Sequence, residues 1–123
     1  MGRKTTQKDA IEQVLQAAEN PLLPKEILER ARAQAPALGL ATVYRSLKRL
    51  QEERRIKLVE IPGKSPRYES ADRGHHHHFV CQDCGSVIDL KGCVGNLQKM
   101  VPSGYRIESH EITLFGHCDS CQN

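Results

Sequence analysis

Two Cys-x-x-Cys pairs, Cys81/Cys84 and Cys118/Cys121, restrict what this 123-residue chain can become more than any other feature. Each pair suits one edge of a tetrahedral Zn²⁺ site. Because 33 residues separate the pairs, a shared ion would tie the end of the sequence back onto the middle of its second half. Four thiolates also close the coordination sphere, leaving no position for water or substrate, so the site reads as structural. A thioredoxin-like redox pair would need a βαβ setting that this sequence lacks. With no tryptophan and only five aromatic residues, two halves of this size have thin cores, and a bound metal is a common staple for such units. No apolar run reaches the roughly 20 residues of a membrane span, and MGRKTTQKDA has no signal-peptide core. The expected setting is therefore the cytoplasm, away from membranes, with the cysteines reduced. Cys93, the fifth cysteine, is expected to be a small buried residue rather than another ligand.

The stretch GHHHHFVCQDCG, residues 74 to 85, adds four consecutive histidines just before the first cysteine pair. In an extended segment, side chains alternate between faces. His75 and His77 then point one way, and His76 and His78 the other. One ion cannot easily collect both pairs, so two sites, one per face, are expected beside the cysteine site. Glu69 and Asp89 are candidate carboxylates, and His110 lies on a later β-rich stretch. Neutral imidazoles suit several divalent metals, and added carboxylates harden a site towards iron or manganese.

The first half carries different signals. Residues 1–70 hold 14 Lys/Arg against 9 Asp/Glu, and residues 71–123 hold 4 against 6, so a net charge of +3 conceals a basic first half and an acidic second. A basic segment fits a polyanionic partner. Apolar spacing predicts helices over residues 6–18, 25–34 and 41–54; in the third, Val43, Leu47 and Leu50 form the core stripe. IKLVEI and RYES, around PGKSP, read as a hairpin. Three helices followed by a hairpin is the order of a winged helix-turn-helix, whose recognition helix would be the third of this chain. In the second half, HFVC and SVIDL are short strand candidates, CVGNLQKMV a short helix, and YRIESHEITLFG a long alternating strand. The predicted class is α+β, with a winged helix-turn-helix over residues 1–70, a linker at 71–74, and a small metal-binding α/β unit over 75–123.

The segments GLATVYRSLKRL (39–50), RYE (67–69), HHHHFVCQDCG (75–85) and HEITLFGHCDSC (110–121) together resemble the ferric-uptake-regulator (Fur) family of metal-dependent bacterial repressors. The resemblance spans nearly the whole chain. It implies a DNA-binding winged helix, a hinge, and a dimerisation domain in which Cys81, Cys84, Cys118 and Cys121 hold structural zinc. It also implies a regulatory site of Glu69, His76, His78 and Asp89 for Fe²⁺, Mn²⁺ or Zn²⁺, and a further site of His75, His77 and His110. Asn96 stands at the fourth position of that further site, where glutamate is usual. The implied DNA contacts are Tyr44 and Arg45, with Thr42, Lys48 and Lys4 on phosphates; the wing residues Lys64 and Arg67 could add to them. The implied partners are a second copy of the chain and a palindromic operator in double-stranded DNA. Leu22 and Leu23 occupy the place where many members have a metal-binding histidine, so metal coupling would rest on Glu69 and the hinge.

The resemblance implies repression of metal-uptake genes. Glu69, together with the absence of cysteine from SADRG, leans towards iron or manganese over zinc; an iron-responsive repressor is expected, with zinc-, manganese- and peroxide-responsive members as the alternatives. A zinc-dependent enzyme is the rival from another class, but neither HExxH nor the His-x-Glu with Pro-Cys-x-x-Cys of zinc deaminases is present, and no catalytic residue is assigned. A zinc-ribbon interaction module would leave the basic first half unexplained.

Overall fold

A computed structural model describes residues 6–74 and 76–122. The chain divides into two compact units, residues 1–74 and 75–123.

The first unit opens with helix α1, Gln7–Ala17. Thr6 caps it: its hydroxyl accepts the Asp9 backbone N–H at 3.0 Å, satisfying one of the first-turn donors that a helix cannot pair internally. Helix α2, Pro24–Ala31, begins at a proline, whose missing N–H costs nothing in the first turn. The Glu26 carboxylate folds back to accept the Leu23 N–H at 2.8 Å. Helix α3, Leu40–Glu52, buries Val43, Ser46, Leu47 and Leu50 on one stripe. Val43, Leu47 and Leu50 pack with Ile11, Leu15, Ile27, Ala31 and Leu38 in a single apolar core, all almost fully buried.

Strands β1 (Ile56–Val59) and β2 (Arg67–Ser70) pair antiparallel, with Lys57 opposite Glu69 and Leu58 opposite Tyr68. The segment before α2 adds a third short edge: the N–H groups of Leu22 and Tyr68 each donate to the other's carbonyl at 2.9 Å. Leu22 is itself buried in the core, so NPLLPKE is committed to packing and sheet pairing there. The unit ends in a 3-10 turn, Ala71–Arg73.

The second unit is a three-stranded sheet of order β4-β3-β5. Strand β3 (His76–Cys81) pairs antiparallel with β4 (Val87–Lys91) and parallel with β5 (Thr113–Gly116). Its interior is small: Val80, Cys81 and Val87 are its buried hydrophobic residues among those described, with His77 buried beside them. Three sequence expectations change here. The helix predicted over residues 93–101 is only a 3-10 turn at Leu97–Met100; two glycines, Gly92 and Gly95, interrupt the segment before it with positive φ, where helix cannot start. The strand predicted over residues 105–116 is confined to its last four residues. The 105–107 stretch instead closes on the turn, where the Gln98 side chain donates to the Tyr105 carbonyl at 2.5 Å and accepts the Ile107 N–H at 3.2 Å. Cys93, expected to be buried, is exposed, because residues 92–96 run outside the sheet.

Candidate metal centres and nucleic-acid interface

The cysteine site is built by two tight turns. After β3, the Cys81 carbonyl accepts the Gly85 N–H at 2.9 Å, and Gly85 adopts φ +77, a region that a side chain makes costly. The second pair is turned by the Cys121 N–H donating to the Cys118 carbonyl at 3.0 Å. The four sulfur donors lie within 4.8 Å of one another. Tetrahedral Zn–S bonds of about 2.3 Å place sulfurs roughly 3.8 Å apart, and Cys84 Sγ stands 3.9 Å from Cys118 Sγ. The donor set therefore fits Zn²⁺ in both chemistry and spacing.

The electrostatics of the site point the same way. The backbone N–H groups of Cys84 and Cys118 donate to Cys81 Sγ at 3.5 and 3.4 Å and bring that thiol down to about 6. The Ser86 hydroxyl, 3.0 Å from Cys84 Sγ, lowers the Cys84 thiol. The Cys121 thiol, crowded first by Cys118 and then by Cys81, is pushed up to about 12. The site thus favours negative charge at its first knuckle and resists collecting four thiolates without a cation. His117, next to Cys118 in the chain, pairs with Asp83 at 2.8 Å on the surface.

Along β3 the side chains alternate. His76 and His78 share one face, their ring centroids 5.0 Å apart. Their Nε2 atoms converge on Asp89 Oδ1 at 3.6 and 3.1 Å, because β4 pairs Asp89 directly with His78. Two imidazole nitrogens and a carboxylate oxygen at these separations match an edge-sharing donor set for a divalent cation, and the carboxylate hardens it. Glu69, the carboxylate named with them from sequence, lies buried on β2 of the winged unit.

His77 points to the opposite face and is buried. Its Nε2 lies 3.3 Å from Cys93 Sγ, which in turn lies 3.1 Å from His110 Nε2. The residue drawn in beside His77 and His110 is thus Cys93, which sequence reasoning missed. Asn96, named for that position, sits exposed at the start of the 3-10 turn with φ +27. A cysteine 16 residues after His77 carries no recognisable spacing; only a tertiary contact brings the two together. His75, the other residue named for this site, lies outside the described residues.

On α3, the face away from the core carries Tyr44, 52% exposed, along with Arg45 and Lys48. Arg45 Nη2 donates to Thr42 Oγ1 at 3.0 Å, which braces the guanidinium along the helix. Lys64 lies exposed in the hairpin turn, and Arg67 is half-buried, 3.7 Å from Glu26. Lys4 lies outside the described residues. No helix among the described residues is long and apolar enough to cross a membrane.

A three-helix winged unit followed by a metal-ready β-sheet unit defines a class of metal-dependent DNA-binding regulators. Residues 2–115 match the ferric uptake regulator family, and the chain belongs to that family. It is 30% identical over 123 residues to the ferric uptake regulation protein of Helicobacter pylori, covering 98% of this chain and 82% of that protein. Among solved structures it resembles the ferric uptake regulator of Helicobacter pylori, reported to have three functional metal binding sites, with a TM-score of 0.78 at 26% identity over 100% of this chain and 83% of that one. It also resembles a zinc-bound manganese uptake regulator, with a TM-score of 0.79 at 25% identity over 95% of this chain and 91% of that one.

Proposed function

We propose that this chain represses metal-uptake genes in the cytoplasm as a homodimer on a palindromic operator, with iron as its most fitting effector and manganese or zinc as alternatives. The observation that carries this reading is the convergence of His76 and His78 on Asp89. These three residues hold the regulatory cation from the second unit. Glu69, seven residues before His76, supplies a carboxylate from the winged unit. When bound, the cation supplies the positive charge that draws these donors onto one point. Glu69 lies on β2 directly after Tyr68, which is paired to Leu22 just ahead of α2, so its position is transmitted to the helix-turn-helix through a short path. Holding Glu69 favours one orientation of α3, and two such helices in a dimer match half-sites about one helical turn apart. Cys81, Cys84, Cys118 and Cys121 hold structural zinc in this scheme. Support for the dimer comes from the second unit, which leaves Val94, Met100, Tyr105, Leu114 and Phe115 exposed, more apolar surface than so thin a core can hide alone.

Two imidazoles with carboxylates form a harder donor set than a thiolate site, which favours Fe²⁺ or Mn²⁺. A mobility-shift titration with Fe²⁺, Mn²⁺, Zn²⁺, Ni²⁺ and Co²⁺, with and without peroxide, identifies the effector. The expected gain in operator affinity is about 5–150-fold, the usual range of an allosteric coupling. Glu69→Ala combined with His76→Ala should flatten the titration. The same metal dependence in this double variant would refute the bridge.

A further inference from the structure

We infer that Cys93 is a metal ligand, and that His77, Cys93 and His110 form a thiolate–imidazole site of softer chemistry than the His76/His78/Asp89 set. The three donor atoms lie within 4.8 Å of one another. With Zn–S near 2.3 Å and Zn–N near 2.05 Å, a tetrahedral ion needs S···N separations of roughly 3.6 Å. The observed 3.3 and 3.1 Å require each imidazole to move outward by only a few tenths of an ångström. The rings of His77 and His110 already face one point, their centroids 5.1 Å apart.

The elements that carry these donors differ in stiffness. His77 is fixed in the central strand of the sheet and buried, whereas Cys93 and His110 come from irregular segments on either side of the 3-10 turn. An ion held by all three would pin both segments to the strand. Loading is balanced in protons. The Cys93 thiol releases its proton to solvent. His77 Nδ1 accepts the Ile112 N–H at 3.2 Å, which leaves the ring proton on Nε2, facing the sulfur. Coordination through Nε2 would require the ring proton on Nδ1 instead, gained through solvent, so the Ile112 hydrogen bond would break and the two N–H groups would have to turn apart.

One thiolate with two imidazoles selects borderline and soft ions, Zn²⁺ and Co²⁺ before Fe²⁺ or Mn²⁺. The two faces of β3 thus prefer different metals. The inference is independent of operator binding: a chain that takes up metal here but binds no DNA would keep this site and lose the regulatory reading.

The test is a Co²⁺ titration of the full chain isolated with its zinc in place, following the near-ultraviolet thiolate-to-cobalt charge-transfer band and the zinc retained. The expected result is one equivalent of cobalt giving the band while zinc stays bound. The band should vanish in Cys93→Ser, which alters an exposed side chain and should fold, and persist in Asn96→Ala and in His76→Ala. A band unchanged in Cys93→Ser, a band that grows only as zinc leaves, or no band in the wild type would each overturn the inference.

Discussion

Replacing Cys118 and Cys121 with serine is expected to cost the second unit its fold. Its interior offers little beyond Val80, Cys81 and Val87, and its last strand, β5, ends two residues before Cys118. Structural zinc in small peptide sites has apparent binding free energies of about 10–16 kcal/mol, which exceeds what so small a core supplies. The double variant should therefore lose stoichiometric zinc and the hydrogen-exchange protection of β3–β5, while the first unit, with its own core, keeps its helices. Acid should act in the same direction. Four thiolates must be free of protons to hold the ion, and Cys121 sits at about 12 without it. Loading therefore releases protons, so zinc affinity falls as pH falls. Zinc released to a chromogenic chelator on acidification, in step with loss of sheet protection, checks the linkage. Full protection in a zinc-free double variant would contradict it.

Substituting the exposed face of α3 should abolish recognition without touching stability. Tyr44 and Arg45 point away from the core that Val43, Leu47 and Leu50 form, so Tyr44→Ala with Arg45→Ala leaves the packing intact. If each reads a base edge at about 1–3 kcal/mol, the pair costs about 2–6 kcal/mol, a loss of operator affinity of roughly 30-fold or more. Lys48→Ala should differ in kind: it should weaken operator and random DNA alike and lower the salt slope by about one, as a phosphate contact does. Fluorescence anisotropy at two salt concentrations separates the two. Unchanged operator affinity in the double variant would remove α3 from the interface.

Local rules made much of this legible. The 3.6-residue spacing of Val43, Leu47 and Leu50 marked α3. Period-two alternation separated His76 and His78 from His77, because a strand has no other way to place them. The paired cysteines were legible because each turn spans four residues. What was not legible depends on distant contacts. Cys93 reaches His77 and His110 only because residues 92–96 leave the sheet after β4. Residues 105–107 have the alternation of a strand, yet the amide side chain of Gln98 satisfies their backbone in place of a ladder. Leu22 and Leu23 stand out only as an absence of histidine; their sheet pairing and packing follow from where Tyr68 arrives.

In the proposed scheme one cation is shared between Glu69 and the His76/His78/Asp89 set, and this sharing sets the orientation of the recognition helix. Coupling between two ligands is reciprocal. The direct measurement is Mn²⁺ or anaerobic Fe²⁺ affinity of the zinc-loaded chain, with and without saturating operator duplex. Operator should tighten cation binding by the same factor, about 5–150-fold, by which the cation tightens operator binding. A cation affinity indifferent to operator would mean that the histidines bind metal without governing DNA.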